Sequence, residues 1–290
     1  MSQRLAALKP SAPVMDWRRL LHTVGQGLAT QGAAAVAHEH QAVAGAVRAR
    51  QIRPRRIAVL GASGGVGTTT VAVLLASVLA AARDDQTLLL TAHCDASDAA
   101  ARLSLSQAPS ITTVVAGLRR HGRIPPSPVT ASGVRVLAAP EPGTACSESG
   151  LAALLDVAAS GHACVVVDAG VAARLGNLAR LAGLVDTVVL VSATTPDAVQ
   201  ATSKVMARCV EQPGARVAAT RVLLVPVHSR TRTLPRGVDP IAALRPGTCP
   251  VHAMPYDGEL ARGRAIGLST ISTPALTSML TLAADIMGNR

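Results

Sequence analysis

The sequence predicts a three-layer α/β fold, in which a mostly parallel, twisted sheet is covered by helices on both faces. Three observations predict it. From Arg56 onward, apolar runs of strand length alternate with stretches of helical length, the order expected of strands joined by crossover helices. The runs are continuous in Val and Leu rather than strictly alternating, which suits strands buried on both faces. The first of them, Arg56-Ile-Ala-Val-Leu60, opens through a glycine-rich turn onto the apolar stretch 66–82, a strand–turn–helix unit typical of such sheets.

In chain order, residues 1–54 differ from the rest and read as a basic, partly helical N-terminal arm or linker. After a mixed, proline-containing lead, Asp16-Trp-Arg-Arg-Leu-Leu-His22 starts one amphipathic helix, and 32–50 forms a second. This second helix runs into the basic cluster Arg48, Arg50, Arg53, Arg55 and Arg56. Two readings stand: an arm that docks on a partner or on phosphates, and a solvated linker. Residues 55–290 make the main domain. Its expected strands are 57–60, 87–91, 134–138, 163–168, 187–192, 221–227 and 250–254. Helical length and spacing mark 66–82, 149–159, 172–182 and 197–209. Pro and Gly clusters near 124–128, 139–143 and 234–248 mark loops. The stretch 275–287 is a last helix without the basic face of a membrane-surface helix, so it is expected to pack on the domain.

At 290 residues and 49% hydrophobic content, the chain has ample material for a large core. Trp17 and Tyr256 are the only aromatic residues, which argues against modules that stack bases on aromatic platforms. The formal charge of +11 rests on arginine, since Lys9 and Lys204 are the only lysines. Such a surface attracts nucleic acid, anionic lipid or an acidic partner, whereas codon bias accounts for the same composition without any partner. Five dispersed cysteines without C-x-x-C spacing speak against a disulfide framework or a zinc site. The first residues lack the pattern of a secretory signal, and the longest apolar run is too short for a bilayer. The expected location is therefore cytoplasmic, with recruitment to a membrane by a partner left open.

The chemistry concentrates in Ala62-Ser63-Gly64-Gly65-Val66-Gly67-Thr68-Thr69-Thr70. A usual phosphate-binding loop, G-x-x-x-x-G-K-[ST], wraps phosphates in backbone N–H groups, reaches them with Lys and places a hydroxyl on magnesium. Here Ala62 fills the first glycine position and Thr68 the lysine position. Ser63, Gly64, Gly65, Val66, Gly67, Thr68, Thr69 and Thr70 are the candidate phosphate-binding residues, with Thr69 as the magnesium hydroxyl. A plain glycine turn between strand and helix is the bland alternative. A second element is the apolar run Cys164-Val-Val-Val-Asp168, whose strand-end aspartate suits the magnesium shell opposite Thr69. Thr69 and Asp168 are thus the candidate Mg2+ ligands; a strand-end Asp that caps a turn is the alternative for Asp168.

These two motifs and their order resemble the MinD/ParA family of deviant Walker-A ATPases, whose loop reads K-G-G-x-G-K-[ST]-[ST]. Gly64-Gly-Val-Gly67 and Thr69-Thr70 match it. The resemblance implies a P-loop NTPase-like domain that takes ATP or ADP with Mg2+. In that family the first lysine crosses to the partner subunit's nucleotide in a dimer; Ser63 stands there, and Thr68 stands for the second lysine. The acidic D-x-[DN] after the second strand is replaced by Thr91 and His93. Asp95 and Asp98 lie nearby in a shifted register, Asp98 having a helix N-cap as its alternative. Outer matches narrow the resemblance to the type VII (ESX) secretion-associated MinD-like proteins of the EspI type. They are Trp17-Arg-Arg-Leu-Leu-His22, Arg56-Ile-Ala-Val-Leu60, 91–98, Thr187-Val-Val-Leu-Val-Ser192 followed by Thr195-Pro-Asp-Ala198, and Val251-His-Ala-Met-Pro-Tyr-Asp257 with Leu260-Ala-Arg-Gly263. Where the family holds adenine with an Asn, this chain offers Pro226 and His228.

Losing the loop lysines should harm hydrolysis more than binding. A charge-assisted hydrogen bond contributes roughly 1.5–3 kcal/mol, while a cation on the phosphoryl-transfer transition state contributes on the order of a thousandfold in rate. The resemblance therefore implies a nucleotide-binding protein with weak or no ATP hydrolysis, a regulatory or scaffolding partner of a type VII secretion apparatus. An active ATPase switch is one alternative, and a ParA-like partition protein that binds DNA non-specifically through the basic arm is another. Arg174 is a candidate replacement cation.

Overall fold

The computed structural model describes residues 42–94, 98–142, 144, 146–172, 178–210, 219–225, 244 and 249–288. Seven strands form one sheet: β1 (Arg55–Gly61), β2 (Thr87–Thr91), β3 (Val134–Leu137), β4 (Cys164–Val171), β5 (Thr187–Ala193), β6 (Ala219–Val225) and β7 (Val251–Ala253). Their order is β3-β2-β4-β1-β5-β6-β7, and every strand pair is parallel. All seven expected strands are present. The fourth runs on past Asp168 to Val171, so this aspartate sits within a strand and not at its end. An extra residue in β4 shifts its register against β1 between Val59 and Gly61, at the point where Gly170 takes φ +69°, a bulge only glycine adopts without strain.

The helices are α1 at residues 42–48, α2 (Thr68–Ala82), α3 (Ala99–Arg102), α4 (Ile111–His121), α5 (Glu148–Gly161), α6 (Leu178–Leu184), α7 (Pro196–Val210), α8 (Gly258–Ala261) and α9 (Thr273–Gly288). Because side chains alternate across a strand, the two alternating sets of positions along each strand build two separate cores. Ile57, Val59, Val166, Val189 and Leu223 face α2 and α9. Ala58, Leu60, Val165, Val167 and Leu190 face the helices α4 to α7. The three expected layers follow. Helix α2 is apolar all round because the sheet, α9, α3 and α1 enclose it, the condition under which such a helix is stable. The last helix packs on the domain through Leu276, Met279, Ala283 and Ile286.

Sequence reading did not single out α4 or α8, and it offered α3 only through the alternative of Asp98 as a helix N-cap, which the structure bears out. Two of these have four residues each, too short to show a helical period. They are set by side-chain caps: Asp98 accepts from the Ala100 N–H, and Asp257 from the N–H groups of Glu259 and Leu260. Helix α6 is described from Leu178; the expected start at 172 directly follows the end of β4 at Val171, and 173–177 lie outside the described residues. The expected helix 16–22 lies outside the described residues.

Helix α1 joins the core, with Val47 fully buried. Arg83, just past α2, holds it there: Nη1 donates to the carbonyls of Val47 (2.5 Å) and Ala49 (3.1 Å), while the guanidinium pairs with Asp85. Its side chain is 3% exposed. Arg83→Ala leaves two carbonyls and a carboxylate without this donor, so a loss of about 2 kcal/mol is expected. Hydrogen exchange should rise first in 42–48; unchanged exchange there would show that α1 is held by other contacts.

Candidate functional site

The carboxyl ends of β1, β2 and β4 meet at the centre of the sheet, where parallel α/β folds place ligands. The chain leaves β1 at Gly61 and enters α2 at Thr68, so 62–67 form the connecting loop. Gly65 (φ +77°) and Gly67 (φ +90°) take left-handed conformations, which let successive N–H groups turn toward one side. Gly67 is the N-cap of α2 and offers no side chain to its N–H groups, leaving these donors and the positive helix end available to an anion. A carbon branch at Gly64 or Gly65 would meet nothing within 4 Å, so the loop borders open space. A cleft of about 620 Å³ lies there, lined by the loop glycines, the three threonines, His93 and Arg102.

The residue that must lack a side chain for close packing is Gly61, one position before the pattern's first glycine. A Cβ there would collide with Thr68 Oγ1 and lie 2.9 Å from Val66 Cγ2 and 3.0 Å from the Ser63 carbonyl. Thr68 thus turns its hydroxyl over the Gly61 Cα, at the position where a lysine would reach across the cleft. Thr69 is 5% exposed and borders the cleft; Thr70 Oγ1 accepts a hydrogen bond from Arg102 Nη2 at 2.8 Å.

Asp168 is fully buried and lies opposite Val59 of β1 and Thr91 of β2. Its parity with Val166 turns it toward the α2 face. Oδ1 accepts from the Gly170 N–H at 3.4 Å. Oδ2 lies 3.1 Å from His93 Nε2, within ion-pair range, but the angle makes no hydrogen bond, so Oδ2 has no hydrogen-bond partner among the described residues. The His93 side chain packs against the bulge in β4: a Cβ on Gly170 would come within 2.8 Å of it. Sequence reading placed His93 where an acidic group is expected; the structure sets it directly against Asp168.

Thr91 and Asp98 do a local task. Thr91 Oγ1 donates to Asp98 Oδ1 at 3.3 Å, and the same oxygen accepts from the N–H groups of Ala100 and Ala139. Asp98 borders the cleft as an N-cap. Asp95, Arg174, Pro226 and His228 lie outside the described residues. A second cavity of about 270 Å³ adjoins the loop on the far side of Gly65, between Val66, Met254, Tyr256 and Leu260. The basic cluster is partly spent within the domain. Arg48 pairs with Asp84 at 3.7 Å and Arg56 with Asp156 at 2.8 Å, and Arg55 Nε donates to Gln51 Oε1. Arg50 and Arg53 are exposed. Among the described residues, no helix is long and apolar enough to cross a membrane.

Sequence reasoning missed Arg102 and Gly61. For Arg102 no local signal existed, since its partner Thr70 is 32 residues away. Gly61 carried one: a glycine ending an otherwise Val/Leu/Ile strand marks a close approach.

No protein-family model matches the chain, and no curated protein matches it. The fold, an α/β P-loop NTPase-like architecture with an all-parallel seven-stranded sheet, is that of solved MinD and ParA proteins. A ParA family ATPase from Chlorobium tepidum superposes with TM-score 0.59 at 16% identity, over 81% of this chain and 98% of that one. MinD in the MinC:MinD complex from Aquifex aeolicus gives 0.63 at 17%, over 81% and 96%. MinD from Pyrococcus horikoshii complexed with Mg-ADP gives 0.60 at 17%, over 79% and 94%. At these identities the likeness is one of fold.

Proposed function

We propose that the chain is a MinD/ParA-like nucleotide-binding protein with weak or no ATP hydrolysis that works as a regulatory or scaffolding partner. One observation carries this reading: the loop keeps an open cradle of glycine N–H groups at the N-terminus of α2, while the Thr68 hydroxyl folds onto Gly61 where a lysine would cross. The residues fit a polyphosphate. The glycines border space that a Cβ would fill, and Oδ2 of the buried Asp168 has no hydrogen-bond partner among the described residues. Residues 63–70 would hold the phosphates of ATP or ADP, and Thr69 with Asp168 would hold Mg2+. A magnesium ion held there would neutralise phosphate charge, and it takes few protein ligands because phosphates and water supply the rest. His93 competes for Asp168, which supports weak magnesium binding and low turnover. The solved MinD with Mg-ADP supports the choice of ligand.

The partner role takes support from the MinD fold seen with MinC. The type VII secretion apparatus as its setting rests on the outer sequence matches at 17–22, 91–98, 195–198 and 251–263. Recruitment to a membrane would then come through that partner. DNA contact through the arm has less support, since Arg48, Arg55 and Arg56 are engaged within the domain.

Titration with a fluorescent ATP analogue, with and without magnesium, tests the nucleotide reading. Binding between micromolar and millimolar is expected, with phosphate release no higher than a buffer control. No binding at millimolar nucleotide would sink the reading. Magnesium-dependent release that Asp168→Ala abolishes would establish the active ATPase instead. Type VII secretion unchanged on deletion of this chain would remove the proposed setting while leaving nucleotide binding intact.

A further inference from the structure

The cleft keeps one permanent cation among its described lining residues, and it comes from outside the loop. Arg102 ends α3 and reaches the third residue of α2. Its Nη2 donates to Thr70 Oγ1 at 2.8 Å, and its Nη1 donates to the Arg264 carbonyl at 3.1 Å. Its own carbonyl accepts from the Ile266 N–H at 2.7 Å, so the backbone that carries the side chain is fixed. Both acceptors of the guanidinium are neutral. Among the described residues, no carboxylate lies within ion-pair distance of it.

A guanidinium has five N–H donors, and two are used among the described residues. Burial without a counter-charge pushes this group below its ordinary pKa, the condition that a bound anion relieves. The planar fork suits phosphate oxygens, which it can bind through two parallel hydrogen bonds. Gly263, with φ +69°, lets the loop after α8 pass close to this group: a Cβ there would lie 3.5 Å from Nη1.

We propose that Arg102 is the phosphate-binding cation of this cleft, taking over the electrostatic task of the absent loop lysines toward the phosphates of a bound nucleotide. The inference rests on the nucleotide-binding reading and deepens it. Arg102 approaches from the Thr70 side, not from Thr68, so it holds phosphate from another direction than a loop lysine and need not restore hydrolysis. A purely structural Arg102, tying α3 to the Arg264 loop, would change stability and leave affinity alone.

Mg-ADP is titrated into the wild-type chain, Arg102→Gln and Arg102→Lys, after each is melted without ligand. Arg102→Gln should raise the Kd about ten- to a hundredfold, the loss of a charge-assisted contact, and Arg102→Lys should recover part of it. A Kd for Arg102→Gln within twofold of wild type overturns the inference and leaves nucleotide binding standing. A wild-type chain that binds no Mg-ADP at millimolar concentration overturns both. Should Arg102→Gln not fold, phenylglyoxal labelling of wild-type Arg102, followed by peptide mass spectrometry, decides. Mg-ADP should suppress that label, and undiminished labelling overturns the inference.

Discussion

Gly61→Val should lower the melting temperature by about 2–12 °C and abolish nucleotide binding, taking about 1–3 kcal/mol for overpacking and 2–4 °C per kcal/mol in a chain of this size. The strain is local and backbone-based. The new Cβ would collide with Thr68 Oγ1 and press on Val66 Cγ2 at 2.9 Å and the Ser63 carbonyl at 3.0 Å. Relief requires the loop to leave β1, and the aligned N–H groups go with it. Two controls separate shape from stability. Gly64→Ala meets nothing within 4 Å, so its melting point should stay near wild type while phosphate affinity falls, because the added carbon borders the cleft. Thr68→Ala in the Gly61→Ala background removes the worst contact, and the pair should be less destabilised than the sum of the singles. Additive losses would mean that Gly61 matters for another reason.

Asp285→Ala in α9 should be the most destabilising change outside the loop, at about 3 kcal/mol. Arg221 lies on β6 with only 3% of its surface exposed, and its odd parity in the strand, shared with Leu223, turns it toward α9. Its Nε donates to Asp285 Oδ2 at 2.5 Å and its Nη2 to Oδ1 at 3.2 Å. His252 of β7 lies 3.0 Å from the same Oδ2. One carboxylate therefore ties the edge strand β7 and its neighbour β6 to the last helix, and removing it strands a guanidinium in the core. The melting temperature should fall by about 6–12 °C. Replacing both members, Arg221→Met with Asp285→Leu, should regain most of the loss, as apolar substitutes for buried pairs do. If the double variant is no better than Asp285→Ala, packing rather than the unpaired charge governs the site.

Much of this was legible in the chain itself. Each strand announced itself as a continuous Val/Leu run, because both faces of the sheet are buried and no alternation is needed. The loop 62–70 was legible because phosphate cradles need glycine at fixed offsets. Asp168 was found by its apolar run, yet its place inside β4 was not, since the bulge at Gly170 depends on the neighbouring β1. Basic residues of the arm looked like free charge in sequence, and the fold pairs Arg48 and Arg56 with Asp84 and Asp156.

The sequence by itself determined the layered sheet, the glycine cradle and the absence of lysine at 63 and 68, because strand burial, turn geometry and loop chemistry act between near neighbours in the chain. Only the tertiary structure decided what fills the gap: Thr68 folded over Gly61, His93 against Asp168, and Arg102 against Thr70. The last two join residues far apart in the chain, brought together by the order of parallel strands. No periodicity or short motif encodes such a contact, since the charge and the hydroxyl that meet have no partner until the sheet has formed.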